Sequence, residues 1–198
     1  MVRLLTKFIC LKIKLTMKKI IVLSLFTALA FTSYSYAQIK VLNQSIINNG
    51  KKMLVGEFER KALEDVDFKK WYQQEYNTYE VEKPKLAGLK NLQNYTIEVF
   101  IGTWCPDSRR ELPRLYKILD DIKFPENKLT TFAVDRQKKS LNGEEIGKNI
   151  THVPTIIVYD KNKKEVGRIV ESPVSGYLEE DLAQIVNGTP LKPNYSND

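Results

Sequence analysis

The chain has 198 residues, 42% hydrophobic and 28% charged, with a formal net charge of +7. That length suits one globular domain with additions. The charge would point to nucleic acid or an anionic membrane surface, but residues 1–37 hold Arg3, Lys7, Lys12, Lys14, Lys18 and Lys19 and no acid, so of 31 Lys and Arg only 25 remain against 24 Asp and Glu. A near-neutral remainder implies no nucleic-acid partner.

Residues 1–37 read as an export leader. Lys18-Lys19 is a basic start, Ile20 to Ala30 an apolar run, and Ser35-Tyr36-Ala37 offers small residues for cleavage before Gln38. Met17 serves as the expected true start. The apolar run is short for a span of roughly 20 residues, so the mature chain is expected to be periplasmic or secreted and not membrane-bound. Cys10 lies in the leader and Cys105 is alone in the mature chain, which leaves no internal disulfide. A single thiol in an oxidising compartment is intermolecularly paired, reactive, or inert and buried.

Residues 38–94 read as a mainly helical N-terminal extension packed on the domain that follows. Ile39 to Leu42 suggests a short strand, and Asn48-Asn49-Gly50 a turn. Phe68, Trp71, Tyr72, Tyr76 and Tyr79 recur at helical spacing. That aromatic stripe is expected to pack on the core, with a substrate groove as the alternative. Pro84 to Leu92 predicts one more short helix.

Residues 95–188 form the main domain. Ile97 to Ile101 is an apolar, β-branched run that predicts a buried strand. Gly102 and Thr103 turn the chain, and Pro106 suits the first turn of a helix. Leu112, Leu115, Tyr116 and Leu119 continue it at helical spacing. Cys105 thus sits at a strand-to-helix junction, where unpaired N–H groups and the helix dipole favour a thiolate. Leu129 to Asp135 predicts a second strand, parallel to the first across the intervening helix. Arg136 to Asn149 is a polar loop. Thr155 to Tyr159 and Val166 to Val170 predict a hairpin about Asp160 to Lys164, and Tyr177 to Val186 a closing helix. Residues 189–198 are expected to form a frayed tail.

Trp104-Cys105-Pro106-Asp107-Ser108 resembles the Trp-Cys-x-x-Cys motif of the thioredoxin-like superfamily, here in a single-cysteine Cys-x-x-Ser form. Pro113, eight residues after Cys105, and Val153-Pro154-Thr155 before an apolar strand match the family's helix proline and cis-proline segment. The resemblance implies an α/β thioredoxin-like fold, a central mixed sheet flanked by helices, in an exported bacterial member of that family. By the same resemblance Cys105 is the nucleophile, Trp104 and Pro106 line the site, and the backbone of Val153 beside Pro154 binds peptide as an added strand.

Ser108 departs from the family pattern, since a serine cannot displace a mixed disulfide. Its hydroxyl is expected either to hydrogen-bond the Cys105 thiolate or to cap the helix, because Ser108-Arg109-Arg110-Glu111 matches a capping box. The buried acid that thioredoxins place six residues before the first cysteine is Val99 here, with Glu98 on the opposite face. Arg109 would favour the thiolate, Asp107 would oppose it, and His152, the sole histidine, is either a modulator or a surface residue. One histidine and one cysteine do not make a four-ligand metal site, and no cofactor is implied.

The sequence supports two functions. One is a monothiol oxidoreductase that forms mixed disulfides with cysteine-containing clients, resolved by an external thiol or an envelope reductase. The other is a non-catalytic binding module. A lone-cysteine peroxidase comes third, since the placement of Pro and Thr in peroxiredoxin sites is not seen.

Overall fold

The computed structural model describes residues 41–196. The expected leader, the start at Met17, Cys10 and the first half of the strand expected over Ile39 to Leu42 lie outside the described residues. Val41 and Leu42 are not in a strand.

The first strand is β1 (Gln44–Asn48), which turns through Asn49 and Gly50 into β2 (Lys51–Phe58). Both turn residues have positive φ, 49° and 70°, the conformation that a two-residue Asn-Gly hairpin requires. A short 3-10 turn leads to helix α1 (Val66–Thr78), whose N-cap Asp65 accepts the amide of Asp67. The helix expected over Pro84 to Leu92 is two 3-10 segments, Lys83–Leu89 and Leu92–Asn94. Gly88 lies within the first, and a Cβ there would lie 2.7 Å from that of Ala183, so the glycine permits close packing.

The motif strand is β3 (Thr96–Ile101), followed by helix α2 (Pro106–Asp121), which carries Pro113 in its interior. Strand β4 (Leu129–Ala133) runs parallel to β3, pairing Ile97 with Leu129 and Ile101 with Ala133. Strands β5 (Thr155–Tyr159) and β6 (Glu165–Val170) form the expected hairpin, and α3 (Leu178–Val186) closes the fold. Among the described residues the sheet is six-stranded and mixed, in the order β1-β2-β4-β3-β5-β6. The extension is therefore helical for its larger part, but it also adds a hairpin to the sheet through pairing of β2 with β4.

The sheet separates two apolar clusters. Ile97, Val99 and Ile101 point to the face covered by the helices, with Leu112, Leu115, Tyr116, Phe68, Tyr72, Leu182 and Ile185. Phe100, Phe132 and Ile157 point the other way and pack with Val134, Ile150, Val153 and Cys105 under the segment that joins β4 to β5. Lys148 of that segment pairs with Glu98 and lies 5.3 Å over the Phe100 ring. Glu98 thus faces away from α2, and the position beneath α2 is filled by the buried, apolar Val99. The aromatic stripe of α1 is core, as expected. Phe68 and Tyr72 are buried, and Trp71, Tyr76 and Tyr79 pack against them.

Candidate functional site

Cys105 is the N-cap of α2, with extended backbone (φ −88°, ψ 127°) and no side-chain cap bond. Its N–H donates to the Gly102 carbonyl at 2.8 Å, and its own carbonyl accepts the Arg109 amide at 3.1 Å. The thiol is 7% exposed and donates to the Val153 carbonyl at 3.1 Å. The Val153–Pro154 peptide bond is cis. Sequence positions 105 and 153 therefore meet at the carboxyl ends of β3 and β4, where loops converge in open α/β sheets. Pro106 occupies the first helical turn and is exposed.

Trp104 is fixed from three sides. Its Nε1 donates to the Val134 carbonyl at 2.9 Å, and the Arg136 guanidinium lies 5.0 Å from its ring. Gly102 supplies the third. A Cβ there would fall 2.6, 2.7 and 2.9 Å from three indole atoms, so only glycine lets the ring lie on this backbone.

Ser108 does neither thing expected of it. A capping box needs serine at the N-cap, but the N-cap is Cys105 and Ser108 is the third residue of the helix. It is 1% exposed, and its Oγ accepts the Gly102 amide at 3.1 Å. It ties the strand-to-helix turn to the helix and so holds the backbone on which Cys105 sits. Arg109 also serves the turn. Its Nε donates to the Thr103 carbonyl at 2.6 Å and its guanidinium lies 5.9 Å over Trp71. The Thr103 Oγ1 in turn accepts the Leu54 amide at 3.2 Å, which joins the turn to β2. Asp107 is paired with Arg110 at 2.8 Å.

Arg110 is shared with Glu111, its Nε donating at 2.6 Å to a carboxylate only 3% exposed, whose Oε2 has no partner. Burial pushes this carboxyl above the usual carboxylate range, while Arg110 and Arg114 oppose the shift.

His152 is bound up with its neighbours. Its Nδ1 lies 3.0 Å from Thr151 Oγ1, and its ring stacks on Tyr195 at 3.9 Å and 11°. The tail expected to fray is tied down at that point. Asn194 Nδ2 donates to the carbonyls of Val170 and Ser172, and the Tyr195 hydroxyl donates to Glu171. Gly102 and Thr103 read from sequence only as the turn, and Val134, Arg136, Asn194 and Tyr195 carry no signal there. Gly102, two residues before the motif, carries the one signal of close backbone approach.

Among the described residues no three His, Cys, Asp or Glu side chains gather as metal ligands would. A family model described as Thioredoxin matches residues 58–177. Two solved structures are similar in part. A protein of unknown function from Pseudomonas aeruginosa shares 17% identity over 61% of this chain and 80% of its own, with a TM-score of 0.45. An HIV epitope scaffold shares 16% over 61% of this chain and 78% of its own, with a TM-score of 0.41. No curated protein matches the chain significantly.

Proposed function

The chain belongs to the thioredoxin family, and from that premise we propose that it is a monothiol thiol–disulfide oxidoreductase acting on cysteine-containing clients outside the cytoplasm. The observation that carries the proposal is the meeting of the Cys105 sulfur, at the start of α2, with the Val153 carbonyl beside cis-Pro154 at 3.1 Å. This supports a reading in which the one cysteine thiol of the described residues acts beside backbone that holds a client polypeptide.

The reaction starts with loss of the Cys105 proton to solvent. The thiolate attacks one sulfur of a client disulfide, an S–S bond forms between Cys105 and that sulfur, and the second client sulfur leaves as thiolate. Ser108 offers no sulfur and its hydroxyl is committed to Gly102, so a second thiol must attack the mixed disulfide. That thiol comes from the client itself, giving isomerisation, or from an external thiol or reductase, giving net reduction. The same exchange removes glutathione from a client cysteine. The leader-like sequence pattern of residues 1–37 supports a periplasmic or secreted setting.

The burial of Cys105 favours a second function. A thiol 7% exposed and bonded to a carbonyl supports a binding module that uses the same surface without exchange. Intact-mass measurement after reaction with glutathione disulfide separates them. In the chain from Gln38, which lacks Cys10, the oxidoreductase forms a mixed disulfide at Cys105 in the native state and releases it to added thiol, and Cys105→Ala forms none. A native chain that stays unmodified until it is unfolded rules out the oxidoreductase and leaves the binding module.

A further inference from the structure

The segment after α3 follows the outer edge strand β6 and reaches His152, two residues before the cis-proline. Pro190 lies 3.2 Å from where a Cβ on Gly167 would stand. Further on, one carboxamide nitrogen, Asn194 Nδ2, reaches the carbonyls of Val170 and Ser172 at 3.2 and 3.1 Å, with Ser172 Oγ at 3.5 Å. Tyr195 stacks face to face on His152, and its hydroxyl donates to Glu171 Oε2 at 2.7 Å. The receiving groups are coupled to the thiol through backbone. The Glu171 amide donates to the Pro154 carbonyl at 2.7 Å, and His152 is followed directly by Val153, whose carbonyl takes the Cys105 thiol.

Two features distinguish this contact from ordinary packing of a chain end. Neither Asn194 nor Tyr195 belongs to an apolar cluster, and Tyr195 remains 47% exposed. The contact is polar and stacked, so its release uncovers no core. Its chemistry is also selective. Two carbonyls facing one nitrogen accept a carboxamide and repel a carboxylate, the imidazole face takes a flat ring, and Glu171 asks that ring for a hydroxyl.

We propose that His152, Glu171 and the carbonyls of Val170 and Ser172 form a client-docking surface for a segment with Asn or Gln followed by Tyr, and that Asn194-Tyr195 is an intramolecular occupant competing for it. The proposal rests on the oxidoreductase function for its consequence, since a client held on His152 sits one residue along the chain from Val153, whose carbonyl takes the Cys105 thiol. Tethering keeps the tail at high effective concentration. A tail bound about nine-tenths of the time weakens the apparent affinity for a competing client about tenfold.

The test uses the full chain, a variant ending at Pro193, and a labelled peptide of the tail sequence Leu191 to Asp198. Fluorescence polarisation and NMR shifts of the His152 ring report binding. The peptide is expected to bind the shortened chain at least about tenfold more tightly than the full chain, and peptides with alanine for Asn194 or Tyr195 should lose that binding. Should the shortened chain fail to fold, the full-length double variant Asn194→Ala, Tyr195→Ala takes its place. No peptide binding to either variant, or equal binding to variant and full chain, overturns the proposal.

Exchange kinetics give a second readout. Shortening the tail should raise the rate with a peptide disulfide containing Asn-Tyr about tenfold, while the rate with glutathione disulfide changes less than about twofold. Binding needs no thiol chemistry, so peptide capture by a chain whose Cys105 is inert sinks the oxidoreductase function and keeps the docking surface. Reactive Cys105 with a tail that alters neither readout does the reverse.

Discussion

Replacing Ser108 by alanine isolates what the substituted position of the motif contributes. The Ser108 Oγ accepts the Gly102 amide at 3.1 Å, with the serine 1% exposed and Gly102 buried. Alanine leaves that amide buried without a partner, which costs about 1–3 kcal/mol. Alanine is the better helix former and gives back roughly 0.5 kcal/mol. The net expectation is a loss of about 0.5–2.5 kcal/mol, or roughly 1–10 °C in Tm for a domain of this size. Urea unfolding of the chain from Gln38, followed by circular dichroism, measures it, and the rate of thiol exchange is taken on the folded protein. Because Ser108 serves the turn and not the sulfur, that rate should change less than about twofold, since the turn keeps its Arg109 and Thr103 ties. A stability loss below about 0.5 kcal/mol, within the range of ordinary surface changes, would refute the reasoning. So would a tenfold loss of exchange rate at unchanged stability, which would place the hydroxyl on the thiolate after all.

Gly102→Ala should cost about 1–3 kcal/mol by overpacking and shift the emission of Trp104, read in a Trp71→Phe background, because the indole loses its seat. Trp104→Phe removes the donor to the Val134 carbonyl and should cost about 1 kcal/mol beyond any change in packing, by urea unfolding. For Glu111 the sign follows from burial. A carboxyl held above its ordinary 4.5 binds its proton more tightly in the folded chain, so its contribution to stability is present below that value and is lost as pH rises through the folded one. Urea midpoints measured from about pH 4 to 7 should carry this falling component, and Glu111→Gln should lack it. An unchanged slope in the variant contradicts the assignment.

The strand–turn–helix around Cys105 was legible because several levels agree there. A β-branched run, a glycine, and a proline at the first helical turn each admit one structure. Val153-Pro154-Thr155 was legible by resemblance, and the cis bond confirms it. Strand β2 was not legible. Met53-Leu54-Val55 is a short apolar run without alternation, which fits a buried strand or a helix equally. Gly56 within it, at φ 81° with a Cβ position 2.8 Å from Leu141, marks a close approach visible only once the chain is folded. Ser108-x-x-Glu111 was misread because a capping box presumes where the helix begins, and this helix begins three residues earlier. His152 and the tail are 43 residues apart in sequence, and no local pattern announces that they stack.

The central claim is that Cys105 exchanges disulfides in the folded chain despite its burial. The most direct measurement is the rate at which glutathione disulfide modifies Cys105 in the native chain from Gln38, which lacks Cys10, compared with the same chain in urea and with Cys105→Ala. The account predicts faster modification in the native state than in urea, reversal by added thiol, and no modification of the variant. Modification only on unfolding would contradict it, and would leave a thioredoxin-fold module that binds its clients without exchanging their disulfides.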